Sequence, residues 1–208
     1  MSKTVFRYFI DFLDGQEKWL NRMAERGYRL KKCGIMTYTF EECGPNEYEY
    51  AVEFVGDRSV SRAKDYRGYL EDVGYRAFTK NINLNFSYGK VKWRPYAKGL
   101  GQLATSPGGY NSELLILEKK RDEKPFALHT TVQDKRNTYQ AVLHAYAWAV
   151  FAMLALTVVA FLPGESPPGA VTWVLRAAVL LFGVLFLIPA VKYFFLVRRL
   201  KEESKTFE

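Results

Sequence analysis

Two long apolar runs near the carboxyl end leave this chain few options. The first, Gln140–Leu162, reads QAVLHAYAWAVFAMLALTVVAFL; the second extends from Ala170 to Val197, with PGESPPG between them. A helix needs about 20 apolar residues to cross a hydrocarbon layer about 30 Å thick. A helix on a water-soluble core keeps a polar face, and the first run has none. The sequence predicts transmembrane helices over 139–162 and 170–197, joined by an extracytoplasmic loop at 163–169. A water-soluble domain (1–124) and a juxtamembrane linker (125–138) precede them, and a basic tail (198–208) follows.

Charge orients this hairpin. The loop carries one charged residue, Glu165, whereas Lys135 and Arg136 precede the first run and Arg198, Arg199, Lys201 and Lys205 follow the second. The positive-inside rule then places both termini in the cytoplasm and the chain in the cell membrane. Arg176 and Lys192 lie near opposite ends of the second run, where long stems reach the interface. With Arg198 and Arg199 they are the expected interface anchors, and Pro189 marks a kink or a weak turn. Ala141, Ala145, Ala149, Ala152 and Gly183 offer small surfaces for close helix packing.

The amino-terminal stretch MSKTVFRYFIDFLDGQ interrupts every apolar run with a charge, so no cleavable signal is expected there. Cys33 and Cys43 fall at opposite ends of a predicted hairpin strand, poorly placed for a disulfide. Together with His129 and His144 they form no metal-ligand spacing, so neither a metal nor a cofactor is expected. No Ser-His-Asp or Cys-His arrangement can be assembled, and no catalytic residue is assigned.

In the soluble domain, Val5–Ile10 reads as a strand. Asp14 and Glu17 resemble a capping box, and Trp19, Leu20, Met23 and Ala24 share one helical face. Gly27 suits the left-handed helix end. Tyr28–Cys33 and Met36–Glu42 read as strands joined at Gly34, and GPNE is a turn. In the next strand Tyr48, Tyr50, Val52 and Phe54 alternate with Glu49 and Glu53, which period-2 geometry sends to solvent. A second helix carries Tyr66, Tyr69, Leu70 and Val73 on one face and ends at Gly74. Its spacing repeats the first: Trp19, Met23, Gly27, Tyr28 and Arg29 match Tyr66, Leu70, Gly74, Tyr75 and Arg76. Two β-α-β-β repeats, about 5–42 and 47–94, predict an α+β fold, a ferredoxin-like antiparallel sheet with both helices on one face. Residues 113–119, ELLILEK, return as a core strand.

From Val73 through Ser112 there is no acidic residue. Within KVKWR, Lys90, Lys92 and Arg94 would project from one face of a strand, with Val91 and Trp93 on the other. Lys98, Gly99, Gly101, Thr105 and Ser106 follow in a glycine-rich loop. Backbone amides beside aligned cations suit an anionic group: a phosphate, a lipid headgroup or an acidic protein surface. The loop lacks the Gly-Lys-Ser/Thr ending of a Walker motif. Trp93 and Tyr96 could stack on bases, but a membrane tether and the lack of a helix-turn-helix pattern argue against nucleic acid.

The stretch FIDF…EKWLNRMAERGYRL…YTFEE…EYEYAVEF, followed by YLEDVGYRAF, resembles the bacterial family called domain of unknown function 2812, over residues 5–120. The resemblance implies a small cytoplasmic domain beside membrane helices, in genomic company with PadR-type transcriptional regulators. It supplies no catalytic residues. The expectation is a membrane-anchored, non-catalytic regulatory or interaction module that binds a protein partner or an anionic ligand. The alternative is a domain held on anionic membrane lipids, as an accessory to a transporter or an envelope-stress system.

Overall fold

The computed structural model describes residues 2–82, 86–88, 91–93, 103–104, 113–122, 126, 132–162 and 169–206. The chain divides into two units, Met1–Thr131 and Val132–Glu208.

In the first unit, β1 (Ser2–Phe6), α1 (Asp14–Glu25), β2 (Tyr28–Cys33) and β3 (Thr37–Glu42) form an antiparallel sheet of order β1-β3-β2. β4 (Tyr48–Phe54), α2 (Val60–Asp72), β5 (Arg76–Lys80) and β9 (Leu114–Lys120) repeat that plan as β4-β9-β5. Each copy is a split β-α-β: its first two strands flank the third, which runs antiparallel to both. The α+β class and the repeat stand, with each copy building its own three-stranded sheet. The second repeat closes with β9, not with the segment ending at residue 94. Between β5 and β9 the chain inserts residues 81–113, where the first repeat has a short turn at 34–36. Within the insertion, β6 (Phe86–Tyr88), β7 (Val91–Trp93) and β8 (Leu103–Ala104) make a third small sheet.

α1 buries Gln16, Trp19, Leu20, Met23 and Ala24, the apolar face that its spacing indicates, plus one amide. Trp19 meets Tyr38 and Phe40 edge-on, at 5.0 and 5.5 Å between ring centroids. Gly27 ends the helix at φ +80, and a Cβ there would stand 2.9 Å from the Cys43 carbonyl, so only glycine fits without strain. The capping box does not form. Glu17 instead reaches sideways, its carboxylate accepting the Val52 N–H at 3.0 Å. The first strand is Ser2–Phe6 instead of Val5–Ile10: its ladder with β3 begins at Ser2 and ends at Phe6, and residues 7–10 are not strand.

α2 differs. Only Leu70 is fully buried, while Tyr69 and Val73 stay largely exposed. Leu70 joins Val55, Leu115 and Leu117 in a cluster that Tyr66 and Tyr75 flank.

The second unit is a hairpin of α3 (Val132–Phe161) and α4 (Ala170–Thr206). Both are long and apolar enough to cross a membrane. Tyr146 stacks on Tyr193 at 5.7 Å, and Tyr139 lies 6.1 Å from the same ring. α3 starts inside the stretch expected as linker, and α4 runs unbroken through Pro189 and on through the basic tail. There Arg198–Glu202 and Arg199–Glu203 pair at helical spacing, which stabilises an exposed helix modestly.

Candidate functional site

The insertion leaves the second sheet from Lys80 and returns at Leu114, and both ends of that root are fastened. Lys80 is buried, and its ammonium donates to the carbonyls of Gly34 (2.8 Å) and Ile35, in the β2–β3 turn of the first repeat. It also lies 4.7 Å from the centre of the Tyr38 ring. Burial lowers its pKa, opposed by Cys33, and burial pushes the Cys33 thiol up to about 11. Cys33 and Lys80 occupy matching positions in the two repeats. On the return side, the fully buried Glu113 accepts the Ile82 N–H at 2.6 Å, and its backbone carbonyl accepts the Val55 N–H at 2.8 Å.

Beside this root lies a cavity of about 10 Å³, lined among others by Phe12, Gln16, Lys80, Asn81 and Ile82. The Gln16 amide is fully buried, and neither of its polar atoms has a protein partner among the described residues. A space of this size suits one water molecule and is too small for a metabolite.

A second polar centre joins the repeats. Glu118 of β9 is buried, and one of its oxygens accepts from Arg29 Nε (2.9 Å) and Nη2 (2.8 Å). Arg76 Nη1 stands 3.7 Å from that oxygen, and the Tyr50 hydroxyl donates to the other at 2.7 Å. That hydroxyl accepts the Leu30 N–H at 2.7 Å. The Glu118 hydrogen bond raises the Arg29 pKa, and burial raises that of Tyr50. The two arginines of the repeated Gly-Tyr-Arg thus converge on one carboxylate. Sequence reasoning missed Glu118, but cross-strand register held the signal: Arg29 faces Glu41 across its ladder as Arg76 faces Glu118.

Glu53 corrects the alternation read in β4. It is buried, accepts from the Tyr66 hydroxyl at 2.7 Å and pairs with Arg58 at 3.2 Å. Glu49 is mostly covered too, 2.8 Å from Lys119. β4 has both faces occupied, so period-2 polarity there marks paired carboxylates instead of solvent.

Of the anion-site residues, Lys92 lies on β7, opposite Ser87 and Ala104, so the middle of KVKWR, Val91–Trp93, is a strand. Lys90, Arg94, Lys98, Gly99, Gly101, Thr105 and Ser106 lie outside the described residues. In the hairpin, Arg176 donates from Nε to the Ala160 carbonyl (2.9 Å) and covers the rings of Phe161 and Trp173. Its charge thus sits on the last turn of α3, where carbonyls lack helical partners. Lys192, Arg198 and Arg199 are exposed.

Compared with known families, residues 12–153 match the model described as protein of unknown function (DUF2812). The chain belongs to the DUF2812 family. No curated protein and no solved structure matches it. The match runs from just before α1 through most of α3 and leaves β1 outside, so the insertion and its root lie within the DUF2812 region. Among its described residues no three His, Cys, Asp or Glu side chains gather as a metal site. The chemistry on view among the described residues is hydrogen bonding at the root of the insertion and charge pairing between the repeats.

Proposed function

We propose that this DUF2812 chain is a membrane-anchored, non-catalytic interaction module with both termini in the cytoplasm. Its domain binds an acidic partner through the insertion. One observation carries the reading: the second repeat replaces a tight turn with residues 81–113, mounted on a fastened root and free of acidic residues up to Ser112. Lys90, Lys92, Arg94 and Lys98 supply the charge. A protein partner, with a PadR-type transcriptional regulator as one form of it, would present the complementary acidic surface; a small anionic ligand would use the same cations. Pull-down of the tagged full chain from solubilised membranes tests this. A stoichiometric partner that is lost when the four cations are changed to glutamate is the expected result. A partner retained by that variant, or none at all, refutes it.

The lipid reading draws on the basic surplus of residues 86–138, which hold ten cations and five acids next to the apolar runs. Each cation near an anionic leaflet contributes about 1 kcal/mol, which would recruit the domain to a transporter or envelope-stress assembly at the membrane. In nanodiscs, anionic lipid should shield residues 81–113 of the full chain from protease until salt is added. Equal cleavage in anionic and neutral nanodiscs would sink this second reading.

A further inference from the structure

The two sheets treat matching edges differently. β4 is the end strand of its sheet, and α1 covers its outer backbone groups. Asn21 donates to the Tyr50 carbonyl (2.8 Å) and accepts the Tyr50 N–H (2.9 Å), while Glu17 accepts the Val52 N–H. One helix thus closes a ladder that would otherwise invite another strand.

β1 is the matching end strand. The Arg7 N–H bonds the Met36 carbonyl beside β3, so residues 3, 5 and 7 turn their backbone groups inward in this alternating ladder. Ser2, Thr4 and Phe6 turn theirs outward. Ser2 lies opposite Glu41 as Tyr50 lies opposite Glu118, which makes Ser2 and Thr4 the counterparts of Tyr50 and Val52. The α2 positions matching Glu17 and Asn21 are Lys64 and Gly68. Gly68 has no side chain to offer, and among the described residues no α2 side chain bonds β1. Four of the five β1 residues are exposed, Phe6 at 72%.

We infer that the outer edge of β1 binds an extended, acidic segment of a partner protein by strand addition. Charge selects the occupant. Lys3 and Arg7 project from one side of the extended chain, over the rings of Tyr28, Phe9 and Trp19, and neither meets a carboxylate among the described residues. A second copy of β1 would set two more cations beside these, which is unfavourable across strands, whereas alternating acids match them. Phe6, on the other side, offers an apolar contact.

The assignment rests on the interaction-module reading, and the two fail separately. The test uses the full chain in nanodiscs and a fluorescent peptide alternating glutamate with valine, followed by anisotropy. The glutamate peptide should bind, and an analogue carrying lysine for glutamate should not. Thr4→Pro deletes an outward N–H at a place where an edge strand tolerates proline, so the fold should persist by circular dichroism. It should weaken binding about tenfold or more, whereas Thr4→Val should leave it unchanged. Equal affinity of the Thr4→Pro variant and the wild type, no binding by the wild type, or self-association that Thr4→Pro abolishes would each overturn the edge assignment. Peptide binding at the edge with no partner recovered from membranes would instead defeat the module reading alone.

Discussion

The two repeats share one topology and differ in what each helix contributes to it. α1 buries five side chains and closes the edge of the neighbouring sheet, whereas α2 buries Leu70 alone. The strand ends differ in the same sense: 34–36 is a turn, and 81–113 is an insertion. The second copy keeps a buried sheet and its own apolar cluster, but its helix covers less of it, and this copy carries the insertion.

The strongest way to break this comparison is at the paired carboxylates. Glu118 and Glu41 hold equivalent ladder positions, yet Glu118 is buried beneath two arginines and Tyr50, while Glu41 lies at 4.0 Å from Arg29 and is partly exposed. Removing one partner of a buried pair costs about 3–5 kcal/mol. Arg29 and Arg76 retain some access to water, so Glu118→Gln belongs at the low end of that range. Glu41→Gln should cost less than about 1 kcal/mol, as exposed pairs do. Urea titration of the detergent-solubilised chain, followed by tryptophan fluorescence, separates the two. Equal losses would mean that the repeats are joined elsewhere.

Next in size is the edge device of α1. Asn21→Ala strips both partners from the Tyr50 backbone groups, on a residue that is itself buried. Leaving such groups unmatched costs about 1–3 kcal/mol, of which alanine's helix propensity returns a few tenths. The same titration measures it, and amide exchange at Tyr50 should quicken with it. Unchanged exchange would show that the edge is closed by something other than Asn21.

Much of this was legible in the sequence, for reasons that also explain the gaps. The hairpin and the α1 face follow from composition and period, and the repeat follows from Gly27-Tyr28-Arg29 against Gly74-Tyr75-Arg76, where the glycines need positive φ. The closing strand of the second repeat was hidden because 33 residues separate it from β5, and a local reading takes the nearer strand-like segment, KVKWR. Glu53 and Glu118 look like surface acids on alternating strands. Their partners lie 13 and 89 residues away, Tyr66 and Arg29, and no periodicity connects them. Tyr69 and Val73 have the spacing of a buried face, but α2 covers too little of its sheet to use it. Of the proposed anion site, the strand character of Val91–Trp93 could be read from its alternation, whereas the fastened root depends on tertiary contacts of Lys80 and Glu113.

The smallest effect has the opposite sign. Gly68 occupies the α2 position that Asn21 holds in α1, and among the described residues a Cβ placed there would meet nothing within 4 Å. Glycine within a helix costs about 0.5–1 kcal/mol relative to alanine, so Gly68→Ala should stabilise the domain by about that amount. Asn21→Ala and Gly68→Ala therefore put the same residue at matched positions and should move the urea midpoint in opposite directions. The contrast follows from what each helix faces: α1 has a strand edge within reach of its side chains, and Gly68 of α2 meets none of the described residues. A destabilised Gly68→Ala variant would mean that α2 is seated against something at this position, and that the asymmetry between the repeats is smaller than their burial implies.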